Sequence, residues 1–118
     1  MAICLLTTNA IDADSGTFST GTGVECASTN AYAREARAPL DANWAAATGG
    51  GGATSNVAAV TFTPATGSWG TVAAMAITDS ATYDAGNMLF FSTVGTSRTI
   101  DDGDTAEFAI GAITVTFD

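Results

Sequence analysis

Twelve carboxylates, three arginines, two cysteines and two tyrosines carry the ionisable chemistry of this sequence, which holds no histidine and no lysine. Without imidazole or a lysine amine, the common general bases and Schiff-base nucleophiles are missing, and a cysteine nucleophile would have no imidazole to activate it. Carboxylates alone leave two chemistries open: a glycosidase-type acid pair, or a site for a hard cation. Asp12, Asp14, Asp79, Asp84, Asp101, Asp102 and Asp104 nearly all fall in turn-like stretches, where aspartate caps backbone groups. No catalytic residue is therefore assigned, and no cofactor is expected. For calcium, Asp12-Ala-Asp14-Ser-Gly16 begins like an EF-hand loop, and Asp101-Asp102-Gly103-Asp104 gathers three carboxylates. Neither completes the pattern, so these five aspartates stand only as calcium candidates.

Cys4 and Cys26 lie 22 residues apart. Two thiolates without a histidine are too few for zinc. They read either as two small buried thiols or as a disulfide formed in an oxidising medium, within one chain or between subunits. Tyr32, Trp44, Trp69 and Tyr83 offer aromatic faces that would suit a carbohydrate platform or a core and interface. Trp69 opens a hydrophobic strand and reads as core. Trp44, in DANWAAATGG, and Tyr83, in a loop, are the interface candidates.

A net charge of −9 excludes the cationic footprint that nucleic acid requires, and it opposes binding to an anionic membrane surface. No apolar run approaches the roughly 18 residues needed to span a bilayer. The opening MAICLLTTNA lacks the basic region of a secretory signal, so synthesis in the cytoplasm is expected. Four consecutive glycines at 49–52 are followed by Ala53, Thr54 and Ser55, not the Lys-Ser/Thr of a phosphate loop. Residues 48–55 are expected to form a glycine-rich loop.

Low charge with abundant Thr, Ser and Gly favours strands and turns. AICLLT (2–7) reads as a strand buried on both faces, and 9–23 as a long turn-rich excursion. VECAST (24–29) is a further strand candidate. In 30–41, Tyr32, Ala36 and Leu40 repeat at helical spacing while Pro39 opposes a helix, leaving a short helix or an edge strand. Strands are expected within 57–64, 67–78, 87–94, 98–100, 107–110 and from 113 onward, with turns at 79–87 and at Asp101-Asp102-Gly103-Asp104. Both faces of VAAMAIT are apolar, as in a central strand. GSWGTVAAMAITDSATYDAGNMLFF is thus read as two core strands joined by a loop around Tyr83, and that loop is expected to touch a neighbour. The fold expectation is all-β: one domain over 1–118, an antiparallel β-sandwich, jelly-roll-like, of six to eight short strands with at most one short helix near 31–40.

The succession AVTFTPATGSWGTVAAMAITDSATYDAGNMLFF, then TIDDGDTAEFAIGAITVTFD, resembles the C-terminal part of small tailed-bacteriophage virion proteins of the tail-fibre or structural kind. In these, "TFP.AT..WGTV....I.DA..GGN.L" precedes "TV..GDT..F..GAL.VTL". Roughly the last 60 residues carry the likeness; TTNAIDADSGTFSTGTG and Ala31-Tyr32-Ala33-Arg34 extend it loosely into the first half. Tyr83 enlarges the loop before Gly86-Asn87, and the usual N-terminal proline is missing. The resemblance implies a β-sandwich without enzymatic activity, assembled in the host cytoplasm onto the virion as a capsid decoration, collar or fibre-base component. It implies other virion proteins as partners (major capsid, neck or tail proteins) and a homo-oligomer. A Cys4–Cys26 or inter-subunit disulfide would suit particles released by lysis. The alternative is a tail-fibre module holding host glycan on Trp44 or Tyr83.

Overall fold

A computed structural model describes residues 1–9, 18, 23–47 and 52–116. Eight strands run in the order β1 (Ala2–Leu6), β2 (Glu35–Ala36), β3 (Thr54–Ser55), β4 (Val60–Thr61), β5 (Gly70–Thr78), β6 (Met88–Ile100), β7 (Glu107–Phe108) and β8 (Thr114–Val115), and the described residues contain no helix. The chain is all-β, and among the described residues every strand pairing is antiparallel. A four-stranded sheet has the order β2-β1-β5-β6, and two ribbons pair β3 with β8 and β4 with β7.

The sheet is built around its most apolar segments. All five residues of β1 are buried, as is β5 from Ala74 to Thr78, so these two strands are covered on both faces. Their register, from Ala2 opposite Thr78 to Leu6 opposite Ala74, sorts the side chains into two clusters. On one face Ile3, Leu5, Met75 and Ile77 pack beneath Val60, Phe62, Trp44 and Ile113, with half-buried Phe108 and Val115 alongside. The ribbons thus cover that face. On the other face Cys4, Leu6, Ala74 and Ala76 pack with Phe18 and Met88.

Aromatic rings fix the larger core. Tyr32 lies parallel to Phe62 with centroids 6.3 Å apart and meets Trp69 edge-on at 5.3 Å. Trp69 Nε1 donates to the Asn30 carbonyl at 2.8 Å. Asn30 holds a left-handed φ of 53° and also donates from Nδ2 to the Ser68 carbonyl. That close approach requires Gly67, where a Cβ would sit 2.7 Å from Asn30 Cγ.

Of the two forms open for 30–41, the chain takes the edge strand: β2 pairs Glu35 to Ile3 at the edge of the sheet, and Tyr32 is buried while Leu40 is exposed, so the helical spacing marks no common face. Two local expectations change. VECAST contributes a single bridge, Glu25 to Leu6. The strands expected at 87–94 and 98–100 join as β6, because the chain bulges instead of turning at Gly95. Val72 pairs with Arg98 and Ala74 with Thr93, so residues 94–97 all lie opposite Ala73. In the glycine-rich stretch, residues 48–51 lie outside the described residues, and Thr54–Ser55 form β3.

Phe62 is almost fully buried between two aromatic rings. Phe62→Ala is therefore expected to lower unfolding free energy by about 3–5 kcal/mol. In urea this would appear as a lower midpoint at an unchanged slope.

Candidate assembly surface

Two charged side chains with no exposure organise one end of the sheet. Arg34 approaches Glu25 bidentately, Nη2 to Oε2 at 2.7 Å and Nε to Oε1 at 2.9 Å. Planar guanidinium and carboxylate match best in this arrangement. Tyr32 donates its hydroxyl proton to Glu25 Oε1 at 2.9 Å and accepts the Leu5 amide at 3.0 Å, tying the pair to β1. The Phe18 ring covers the guanidinium, 4.6 Å from Cζ to centroid. Burial alone would lower the Arg34 pKa; the hydrogen bonds and charge of Glu25 outweigh it and hold the group above its ordinary value. Burial, reinforced by the Glu25 charge, pushes the Tyr32 phenol up.

Arg34 Nη1 then reaches out of the core to the loop between β5 and β6. It donates to the carbonyls of Ser80 at 2.9 Å and Ala85 at 2.8 Å. Asp84 Oδ1 accepts the Phe18 amide at 3.0 Å. The loop's ends are closed by Asp79, whose carboxylate accepts both the backbone amide and the side-chain amide of Asn87, at 2.6 and 2.7 Å. These Asn87 hydrogen bonds hold the Asp79 pKa below the usual carboxylate range. Gly86, at φ 79°, is required here, since a Cβ would collide with the Asp79 carboxylate. One buried cation thus orders the stretch that carries Tyr83.

Directly after this loop the chain presents apolar side chains to solvent. Met88 packs on the second core cluster, but Leu89 is 44% exposed and Phe90 and Phe91 are each 37% exposed. The core reading of GSWGTVAAMAITDSATYDAGNMLFF therefore holds for β5 and fails for the start of β6, which lies at the edge of the sheet. Leu89 is the extra residue of a second bulge, between Ile77 opposite Phe90 and Thr78 opposite Met88. Residues 88–97 carry no charge. Soluble proteins commonly guard sheet edges with lysine, proline or inward charge; this arm has none of them.

The other sequence candidates fall as follows. Asp12 and Asp14 lie outside the described residues. Asp101 and Asp104 share a turn in which Asp104 Oδ2 accepts the Asp101 amide at 2.9 Å, and Asp102 is exposed beside them. Among the described residues no group of three His, Cys, Asp or Glu side chains converges as metal ligands would. Trp44 is buried at 8% exposure and bridges Asn56; its Nε1 has no hydrogen-bond partner. Its ring offers little stacking surface. Tyr83 is half-buried against the larger core. Cys4 and Cys26 are both free and buried, in different clusters. Burial, with the nearby Glu25 charge, pushes each thiol up to about 12. Glu25 itself was not legible as a site residue: the Tyr32-Ala33-Arg34 motif flags the cation, but nothing in the sequence marks its partner nine positions earlier.

Removing Arg34 strands a buried carboxylate, so Arg34→Met is expected to cost about 3–5 kcal/mol, and adding Glu25→Leu to recover much of the loss. Chemical denaturation of the single and double variants checks both. The thiols are expected to resist labelling in the native protein at pH 8 and to react together on unfolding. Because their folded pKa lies above the unfolded value, the native state keeps protons that the unfolded chain loses. Stability is then full below about pH 9 and falls at higher pH, by up to about 1.4 kcal/mol per pH unit for each thiol. Urea midpoints between pH 8 and 10.5 read this, and the fall should shrink in Cys4→Ala.

A family model described as podophage GP4 fiber I protein gp80 matches residues 2–116. No curated protein matches the chain. The match covers nearly all of the sequence, both the β5–β6 stretch and the Tyr32–Arg34 region that builds the buried pair. The chain therefore belongs to the podophage GP4 fiber I protein gp80 family and is a bacteriophage virion structural protein.

Proposed function

We propose that this chain is a non-enzymatic subunit of the phage fibre apparatus, working as one β-sandwich domain through protein contacts rather than chemistry. The observation that carries this reading is the exposed apolar arm of β6, with Leu89, Phe90 and Phe91 at a sheet edge directly beyond a loop fastened from within. Apolar and aromatic side chains with few charges are what the centre of a protein interface is made of. The buried ionisable groups support the same reading, because Glu25, Arg34 and Tyr32 satisfy one another inside the fold. Adjoining subunits of the particle, among capsid, neck or tail proteins, and further copies of this chain are the partners this surface fits.

Immunogold labelling of purified particles tests the proposal. Label is expected on the particle, concentrated at its fibres, and the chain is expected to stay with particles through a density gradient in high salt. Recovery of the chain only in the soluble lysate would overturn the reading. So would substrate turnover by the isolated protein that a surface carboxylate substitution abolishes.

A further inference from the structure

Arg98 stands where the register of the sheet puts apolar side chains. It lies opposite Val72, and Ile100, two residues on, lies opposite Gly70. Side chains opposite one another in a ladder share a face, as do those two apart on a strand. Val72 and Ile100 both belong to the larger core, so Arg98 is on the core side of the sheet. Its neighbour Thr99 is on the other side, where its hydroxyl meets that of Thr71 at 2.9 Å. The Arg98 side chain lines a cleft of about 400 Å³ between β6 and residues 104–108, with the apolar Leu5, Val72 and Ile100 as its floor.

No described residue neutralises this charge. Arg34 has Glu25, and Arg37 has Glu35 and the carbonyls of Ala36 and Ala59. Among the described residues Arg98 has neither an ion pair nor a hydrogen bond, and it stays exposed. The carboxylates across the cleft hold other partners, Asp104 the Asp101 amide and Glu107 the Thr61 hydroxyl. Among the described strands β6 is the last in its sheet. A strand of another chain laid along its 98–100 end would set side chains beside Arg98 and strip water from an unpaired cation, a strongly unfavourable step. An inward charge on an edge strand is one way in which proteins refuse such pairing. We propose that Arg98 is a guard of this kind: it keeps the strands of other chains, further copies of this one included, from extending the sheet at residues 98–100. The proposal goes beyond the reading of the chain as a structural subunit and says where along β6 a neighbouring strand is kept off.

Sedimentation velocity over a range of concentrations, with parent and variants side by side, tests it. Arg98→Val and Arg98→Thr put neutral residues of high strand propensity at the position, and both are expected to self-associate at concentrations at least about tenfold below any at which the parent does. Loss of a cation from a chain at −9 strengthens repulsion between copies, so net charge alone predicts the opposite change. Arg98→Lys and Arg98→Glu keep an inward charge and should sediment as the parent does. On association of the neutral variants, hydrogen exchange should slow in the peptide that covers 94–100. Melting temperature should hold in at least one of them, because neither substitution removes an ion pair or hydrogen bond to a described residue. Neutral variants that sediment as the parent does at every concentration would overturn the proposal. Association of Arg98→Lys or Arg98→Glu to the same degree, or slowed exchange only outside 94–100, would do the same. A lower melting temperature in both neutral variants would also sink it, since unfolding rather than an opened edge would then drive association. None of these outcomes bears on whether the chain is found on particles, so the structural role stands or falls separately by immunogold labelling.

Discussion

Arg34 and Glu25 hold opposite charges with no solvent on either, and taking two such groups out of water is expensive unless every donor and acceptor is met. That requirement recruits five separate stretches of the chain. Tyr32 donates to one carboxylate oxygen while its own hydroxyl accepts the Leu5 amide, the Phe18 ring covers the cation, and carbonyls at Ser80 and Ala85 accept from its outer nitrogen. A lysine in place of Arg34 would lack the fork that reaches Glu25 and the loop at once. The network therefore fixes where β1, Phe18, the Tyr32 aromatic cluster and the β5–β6 loop sit relative to one another.

The same constraint delivers the surface. Because the loop closes on Asp79 and Asn87 and is anchored by Arg34, β6 leaves it at a defined angle with Leu89, Phe90 and Phe91 at the edge of the sheet. A protein with twelve acids and three arginines keeps its copies apart by charge over most of its surface. On the proposed reading, contact is made where that charge is absent, along the uncharged β6 arm. Rigid anchoring also matters for affinity, because a loop already ordered loses little entropy when a partner arrives.

Much of this was legible in the sequence, and the reasons for the rest are physical. AICLLT and VAAMAIT are apolar on both faces, which only a central strand tolerates, and both are central strands. The turns at Asp101-Asp102-Gly103-Asp104 and Asp79 to Asn87 followed from residues that cap backbone groups. The run Met-Leu-Phe-Phe was read as core because apolar content reports burial somewhere, not burial by this chain. Edge position is decided by pairing partners far away in sequence. Tyr32, Ala36 and Leu40 left a helix open by spacing and Pro39 an edge strand, and only pairing with β1, far off in sequence, decides for the strand. Glu25 lies in an ordinary stretch, and only the fold shows that it is the partner of Arg34.

A reconstruction of the assembled particle at side-chain resolution tests most directly the claim that this chain works through the apolar arm of β6. The account predicts residues 88–91 buried against a neighbouring subunit, with the Arg34–Glu25 pair intact beneath. Continuous solvent over those residues, with the chain held to the particle by a different face, would contradict it.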